Sequence, residues 1–386
     1  MIDKDYEKAL DLLVDKVDGV CDYDWQELCF ELGCDMHPDS LRKSFNVGDY
    51  SGYQVYKYFT QKYEDETYTD DEQFKELIRL KDELYKEKVR YRDVFREHRN
   101  SLSKEARFEN LLDAVRESTA NMEPVCLEHN KDFANSGTDA CLLISDIHYG
   151  ATVDNVLNLY NTDIAKERIR QLLDKTIYYC SMHRVDTLYI NILGDVIHGS
   201  IHTSTRVEAE CDTISQTMQV AEILVRFIEE VSKYVGAVKV VGVQGNHSRV
   251  TPNKKEAINS ENFERITFEY IKNRLPEIPL ILNGLEDWAT YKVGNKKIFV
   301  CHGDKDGFAS VKKNAVALTG EVPDTIYMGH LHHCKIEEQE GTEVVLNGSV
   351  IGCDSYAMNN RFVSKPHQLL QIHHGDDVCT YKLMLD

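Results

Sequence analysis

The chain has 386 residues, 42% of them hydrophobic, which is ample for a large core and about two or three domains. A formal net charge of −20 opposes loose binding to polyanions, so any nucleic-acid contact has to come from a local basic surface or from bound metals. No run is apolar for long enough to span a bilayer, and the 11 cysteines are scattered with no Cys-x-x-Cys pair, which argues against a membrane protein, a thiol-bound zinc and a disulfide framework. The charged amino terminus, Met-Ile-Asp-Lys-Asp-Tyr-Glu, lacks the basic-then-apolar layout of a secretion signal, so a cytoplasmic location with reduced, mostly core thiols is expected.

Residues 1–60 read as a small helical module. Glu7, Leu10, Leu13, Val14 and Val17 fit one helix, and Asp24 before Trp25-Gln26-Glu27-Leu28 reads as an N-cap with an acidic first turn. Gly33 should stop that helix. A further helix begins at Pro38 and carries Arg42 and Lys43, the layout of a helix-turn-helix that could touch DNA, although acidic three-helix modules without DNA contact are common.

Residues 71–118 read as a long amphipathic helix followed by a second one. Leu77, Leu80, Leu84, Tyr91 and Val94 fall on a heptad seam interrupted at Glu87. The polar faces hold the most basic stretch of the chain, with Lys88, Arg92, Arg96 and Arg99 as candidate nucleic-acid contacts. The same face also suits a contact with a partner subunit or a second copy, or a solvated surface laced with ion pairs. Ser103 with Glu105 predicts a kink and a fresh helix start. Over 119–139 the pattern dissolves into Asn, Glu, Pro124, Lys and Ser, which predicts a linker.

From 140 to 386 one theme repeats: an apolar run ends in Asp, Asn or His. Cys141-Leu142-Leu143-Ile144-Ser145-Asp146-Ile147-His148 is the first, and strand alternation would aim Asp146 and His148 the same way. After a helix over about 163–182, Thr187 to His198 delivers Asp195. A helical insertion over about 207–235 precedes Val238 to His247, which ends in Asn246-His247. Lys297 to Gly303 supplies His302, and Asp324 to His332 supplies His330 and His332. Strands alternating with helices predict an α/β core whose ligands gather outside the strand ends.

Asp146-x-His148, Gly194-Asp195, Gly245-Asn246-His247, His302 and Gly329-His330-x-His332 occur in the order of the calcineurin-like metallophosphoesterase superfamily, which this region resembles. The resemblance implies a four-layer α/β/β/α sandwich of two mixed sheets, here preceded by an all-helical region. It also implies two divalent metals: one held by Asp146, His148, Asp195 and His332, the other by Asp195, Asn246, His302 and His330, with Asp195 as the bridge. Two cations about 3.5–4 Å apart can share a bridging hydroxide and steady the charge developing at phosphorus. Carboxylate and imidazole ligands suit Mn²⁺, Fe²⁺ or Zn²⁺, with Mg²⁺ also accommodated, and manganese is the expected ion. Asp195 and His247 are the expected catalytic residues, His247 standing beside the metals to stabilise the transition state or protonate the leaving oxygen. The family's usual acid after this His is Ser248 here.

His198 stands where the repair-exonuclease branch of that family often carries His, and Gly199-Ser200 replace the phosphate-clamping Arg of its protein phosphatases. His198, Arg206 and Arg249 are candidate phosphate-binding residues. The whole chain also resembles phosphoesterases encoded by bacteriophages, which implies the host cytoplasm and a DNA-metabolic setting. The leading expectation is a two-metal phosphodiesterase acting on DNA, an exonuclease-like enzyme. The alternatives are a phosphoesterase for a nucleotide or cyclic nucleotide, which an acidic surface suits better, and a scaffold with a degenerate metal centre.

Overall fold

Side-chain alternation along the strands decides how the larger part of the molecule is layered. The computed structural model describes residues 8, 12, 23–33, 37–43, 72–120, 122–201, 203–254, 257–284 and 286–385. The chain divides into two units, Met1–Arg99 and Asn100–Asp386. Its helices are α1 (Trp25–Glu31), α2 (Pro38–Lys43), α3 (Glu72–Ala120), α4 (Thr162–His183), α5 (Thr203–Val207), α6 (Thr213–Ser232), α7 (Phe263–Arg274), α8 (Val311–Thr319) and α9 (Ser355–Asn359). Its strands are β1 (Thr138–Ile144), β2 (Val153–Asn155), β3 (Asn158–Tyr160), β4 (Thr187–Ile192), β5 (Ala237–Gly242), β6 (Leu280–Ile281), β7 (Trp288–Val293), β8 (Lys296–Cys301), β9 (Thr325–Met328), β10 (Lys335–Gln339), β11 (Thr342–Leu346), β12 (His367–His374) and β13 (Asp377–Met384).

In the first unit, Asp24 caps α1 by accepting from the backbone of Gln26 and Glu27, and Glu27 returns a bond to the Asp24 N–H. This capping box fixes the helix start. Leu28, Cys29 and Leu32 of this helix and its end pack with Leu41 of α2 in a small apolar cluster. The first expected helix, on Glu7, Leu10, Leu13, Val14 and Val17, lies outside the described residues.

In the second unit, Cys141 and Leu143 of β1 face one apolar cluster while Ala140, Leu142 and Ile144 face another, so the strand is packed on both sides. One sheet has the order β13-β12-β1-β4-β5-β6, the other β10-β11-β9-β8-β7. Both mix parallel and antiparallel pairs. Between them lie Cys141, Leu143, Tyr189 and Val241 from the first and Tyr291, Val300, Tyr327 and Val345 from the second. The outer face of the six-stranded sheet is covered by α4, α6 and α7 through Leu172, Leu224, Ile228 and Ile271. On the far side, Val311 and Ala315 of α8 cover Phe299, Ile326 and Met328. The expected four-layer sandwich of two mixed sheets is thus the architecture that forms, and α1, α2 and α3 precede it.

Two expectations about the connection need correction. The kink at Ser103 is absent: α3 is one helix of 49 residues, because Glu72–Ala120 holds neither Gly nor Pro to break it. Nor are residues 119–139 the boundary. Phe108, Leu112 and Val115 of α3 are buried in the core of the second unit. The Val125 N–H donates to the Arg274 carbonyl and the Asn130 N–H to that of Val235, with Val125 and Leu127 packed on the same core. The polar residues of this stretch are the outward side of a segment laid against the domain.

Candidate metal centre

The polar residues expected at strand ends do gather beyond β1, β4, β5, β8 and β9, but strand alternation is not what aims them. Strand β1 stops at Ile144. Asp146 and His148 follow it in left-handed conformations (φ 52° and 49°), as do Asp195 (53°), His330 (75°) and His332 (57°). Such a backbone costs a non-glycine residue roughly 1–2 kcal/mol, and the surroundings hold it in place. The Asp146 N–H donates to the Gly194 carbonyl (3.1 Å), that of His148 to Asp195 (3.0 Å) and that of Tyr149 to Val196 (3.0 Å). The turns after β1 and β4 are therefore zipped together past the end of the sheet. Gly245 lets the third turn close in, since a Cβ there would run into the Asp195 backbone nitrogen and carboxylate.

The side chains form two donor sets. Ligand atoms of Asp146, His148 and His332 lie within 4.8 Å of one another, and so do those of Asp195, His302 and His330. In the first set His148 Nε2 and His332 Nε2 are 3.2 Å apart. Asp146 Oδ1 is 3.3 Å from His332 Nε2, yet out of line for a hydrogen bond, so this fully buried oxygen has no partner. In the second set His302 Nδ1–H donates to the Leu193 carbonyl (2.8 Å), which leaves Nε2 turned to the centre, 3.1 Å from Asn246 Oδ1 and 3.2 Å from Asp195 Oδ2. The same Asp195 Oδ2 lies 4.0 Å from His148 Nε2, so the carboxylate stands between the sets. An orphaned buried carboxylate oxygen and imidazole nitrogens crowded face to face are what a divalent cation would satisfy. The residues fit divalent-metal binding, and each set is a candidate site.

The electrostatics agree. Burial pushes the Asp195 carboxyl up, but His302, His247 and His148 around it outweigh that and hold it well below the usual carboxylate range. Burial likewise lowers His302, and the adjacent Asp195 reverses this, pushing it up to about 10. Burial and the neighbouring His247 keep His148 well below an ordinary histidine. A charge-dense, water-poor pocket of this kind marks functional sites.

His247 stands beside the sets, its ring 4.5 Å from that of His148. Its Nδ1–H donates to the His198 carbonyl (3.0 Å), and its N–H donates to Asp195 Oδ1 (2.7 Å). A main-chain carbonyl thus orients the ring where the sequence, with Ser248 next in line, offers no acid. Gly199 makes this approach feasible: at φ +69°, an added Cβ would strike the His247 carbonyl. The His198 ring is buried with neither nitrogen partnered and shares a cluster with His148 and His247. Burial and His247 push it down to about 4.

The expected phosphate-binding arginines are placed differently. Arg249 donates to the carbonyls of Asn246, Thr251 and Pro252, so its guanidinium braces the turn that carries His247. Arg206 is exposed on α5. Lys88 and Arg92 are exposed on α3. Arg42 and Lys43 lie on α2, and Arg96 and Arg99 on α3, with side chains outside the described ones. Cys301, beside His302, is a buried strand thiol that burial pushes far up, which suits an inert core cysteine.

Glu264 escaped the sequence reading. Fully buried at the start of α7, its carboxylate accepts from the N–H of Val196 and of Gly245, tying the Asp195 turn to the Asn246 turn. Burial, and then the nearby Asp195, push it up to about 7. Asn262 donates to the Gly245 carbonyl from the same helix end. An acid two residues after a capping Asn looks like an ordinary helix start, so the sequence held no signal of this role.

Residues 140–359 match the calcineurin-like phosphoesterase superfamily domain. An SPbeta prophage-derived uncharacterized protein, YonJ, of Bacillus subtilis (strain 168) is 25% identical over 280 residues, 67% of this chain and 67% of that protein, in keeping with the bacteriophage resemblance. Among solved structures, Vacuolar Protein Sorting 29 from Cryptosporidium parvum aligns with 64% of this chain and 92% of its own at 17% identity and a TM-score of 0.35. An archaeal phosphodiesterase aligns with 63% and 99% at 14% identity and a TM-score of 0.33. No helix among the described residues is long and apolar enough to cross a membrane. With more than half of its length matched, and the matched part carrying both donor sets, the chain belongs to the calcineurin-like phosphoesterase superfamily and is a metal-dependent phosphoester hydrolase.

Proposed function

We propose that this chain is a two-metal phosphodiesterase acting on DNA, a nuclease of exonuclease-like character, with manganese as its ion. The observation that carries the two-metal reading is the position of Asp195 Oδ2, 3.2 Å from His302 Nε2 and 4.0 Å from His148 Nε2. When bound, divalent cations supply Lewis acidity and neutralise charge at the phosphoryl oxygens. Asp146, His148 and His332 would hold one, Asn246, His302 and His330 the other, with Asp195 shared. With Nδ1–H committed to the His198 carbonyl, His247 keeps Nε2 for the substrate, where the ring, once it has taken a second proton from water, would give that proton to the leaving oxygen. The buried His198 ring, next to both His148 and His247, offers a second nitrogen to a phosphate oxygen. DNA is favoured by Lys88 and Arg92 on an exposed helix face and by the phage-derived relative. Partner or self-association through the amino-terminal helices belongs to the same proposal.

The net charge of −20 favours a second reading, a phosphoesterase for a nucleotide or cyclic nucleotide, which needs no long basic track. Turnover with manganese on bis-p-nitrophenyl phosphate, single-stranded, duplex and circular DNA, and nucleotides separates the two. The nuclease reading expects nicked or shortened DNA; intact DNA with rapid nucleotide hydrolysis selects the second.

A further inference from the structure

A pocket of about 350 Å³ opens on the Asn246 side of the centre, walled by the turn after β5, by residues 257–259 and Asn262, and by Asp287, Asp304 and Lys305. Its charges are already matched. Lys254 pairs with Asp304 (3.2 Å), Lys305 with Asp287 (2.7 Å), and Arg249 is turned onto three carbonyls. Among the described lining residues no cation is left for a second phosphate.

What is left open is an amide. Gln244 is 7% exposed and lines this pocket, standing in the wall shared with a smaller cleft of about 150 Å³. Its side chain makes no hydrogen bond to any described protein group. Its oxygen and NH₂ are thus uncommitted, and a ligand presenting a donor beside an acceptor would engage both. Nucleobase edges have that pattern, and Gln pairs with them through both groups at once. Ala257 and Ile258 add apolar surface for a flat ring, and Asn246, a wall residue, lies 3.1 Å from His302 Nε2 in the second donor set. The pocket therefore borders the second donor set.

We propose that this pocket takes the nucleobase of the nucleotide whose phosphate occupies the metal centre, with Gln244 reading the base edge. The inference rests on the phosphodiesterase reading for the group at the centre.

Calorimetric titration of the full-length protein loaded with Mn²⁺, using dAMP, dTMP and 2-deoxyribose 5-phosphate, tests it. At least one nucleotide should bind about tenfold or more tightly than the sugar phosphate. Gln244→Met keeps the chain length and removes the amide, and should shrink that advantage by about 5- to 10-fold, the lower end of the ~1–3 kcal/mol of a bidentate amide–base pair. Gln244→Glu, a second variant of the same length that loses the donor, should change which base binds better. Equal binding of sugar phosphate and both nucleotides overturns the proposal, and so does an advantage that survives both variants. Binding is read here rather than turnover, so base-dependent binding by a protein that hydrolyses no diester would overturn the enzymatic reading alone.

Discussion

At Asp195 one negative charge serves two donor sets, so Asp195→Asn should cost more than any other single ligand change. Metal content by atomic emission should fall together with turnover, the latter by at least the ~10²–10³-fold of a lost electrostatic stabiliser. His247 makes the opposite prediction, because its ring is held from outside the sets by the His198 carbonyl. His247→Ala should keep both metals while turnover falls by roughly 10²–10⁴; loss of metal in this variant would make the ring a ligand instead. The seven residues that the family resemblance implied as ligands, each at the end of an apolar run, lie together in the structure. What aims them was not legible in the sequence. Left-handed turns at Asp146, His148 and Asp195 leave no mark in a sequence when the residue is not glycine. Glu264 was hidden for a related reason, since a buried carboxylate whose partners are main-chain N–H groups has no partner residue type to look for. Ser248 suggested a loosened His247, and only the backbone path past Gly199 shows how the ring is held.

At the scale of elements, β1, β4, β5, β8 and β9 and the helices α4 and α6 were readable from their apolar runs and periods, whereas the two-sheet layering came only as what the family resemblance implied. Helix α3 was half readable. Its heptad seam predicted the helix, yet Leu80, Leu84, Tyr91 and Val94 are exposed in the structure, so no described neighbour covers the seam. Ser103 looked like a start signal because a cap residue is defined by the backbone around it, and here the helix simply continues. Among the described side chains of residues 79–95, Arg90 pairs with Glu87 at 3.5 Å with both groups well exposed, a contact worth little. If the remaining cations track a phosphate backbone, replacing Lys88, Arg92, Arg96 and Arg99 by Gln should weaken DNA binding. Each lost phosphate contact should flatten its log–log salt dependence by about 0.7 for single strands. Hydrolysis of bis-p-nitrophenyl phosphate serves as the comparison. Equal losses on both substrates would assign the helix to folding or docking, and no loss on either would leave it a solvated face.

For the molecule as a whole, acid should be a stronger denaturant than the carboxylates alone imply, because histidines are buried far from the centre as well as in it. His373 lies in the core with Nε2 3.2 Å from the Tyr327 hydroxyl, which itself donates to Gln371. Its Nδ1 has no partner, and burial, with Lys296 nearby, pushes it down to about 4. A folded value below the unfolded ~6.5 means that the unfolded chain binds the extra proton first. This part of the stability is therefore present above pH ~6.5 and is lost as the pH falls toward 4, with about 2 kcal/mol gone by pH 5. Urea unfolding at pH 7 and pH 5 should show a smaller difference for His373→Gln than for the parent, and an unchanged difference would mean that the ring is not protonated on unfolding. The left-handed ligands carry one further consequence. Five of the expected donors are Asp or His at backbone angles that glycine adopts without cost, and Asp146 and Asp195 offset their own cost by accepting from the N–H groups of His330 and His247. The polar atoms of the centre therefore act as struts for its own turns, so that emptying a position of its side chain would loosen the loop that carries it as well as the donor set.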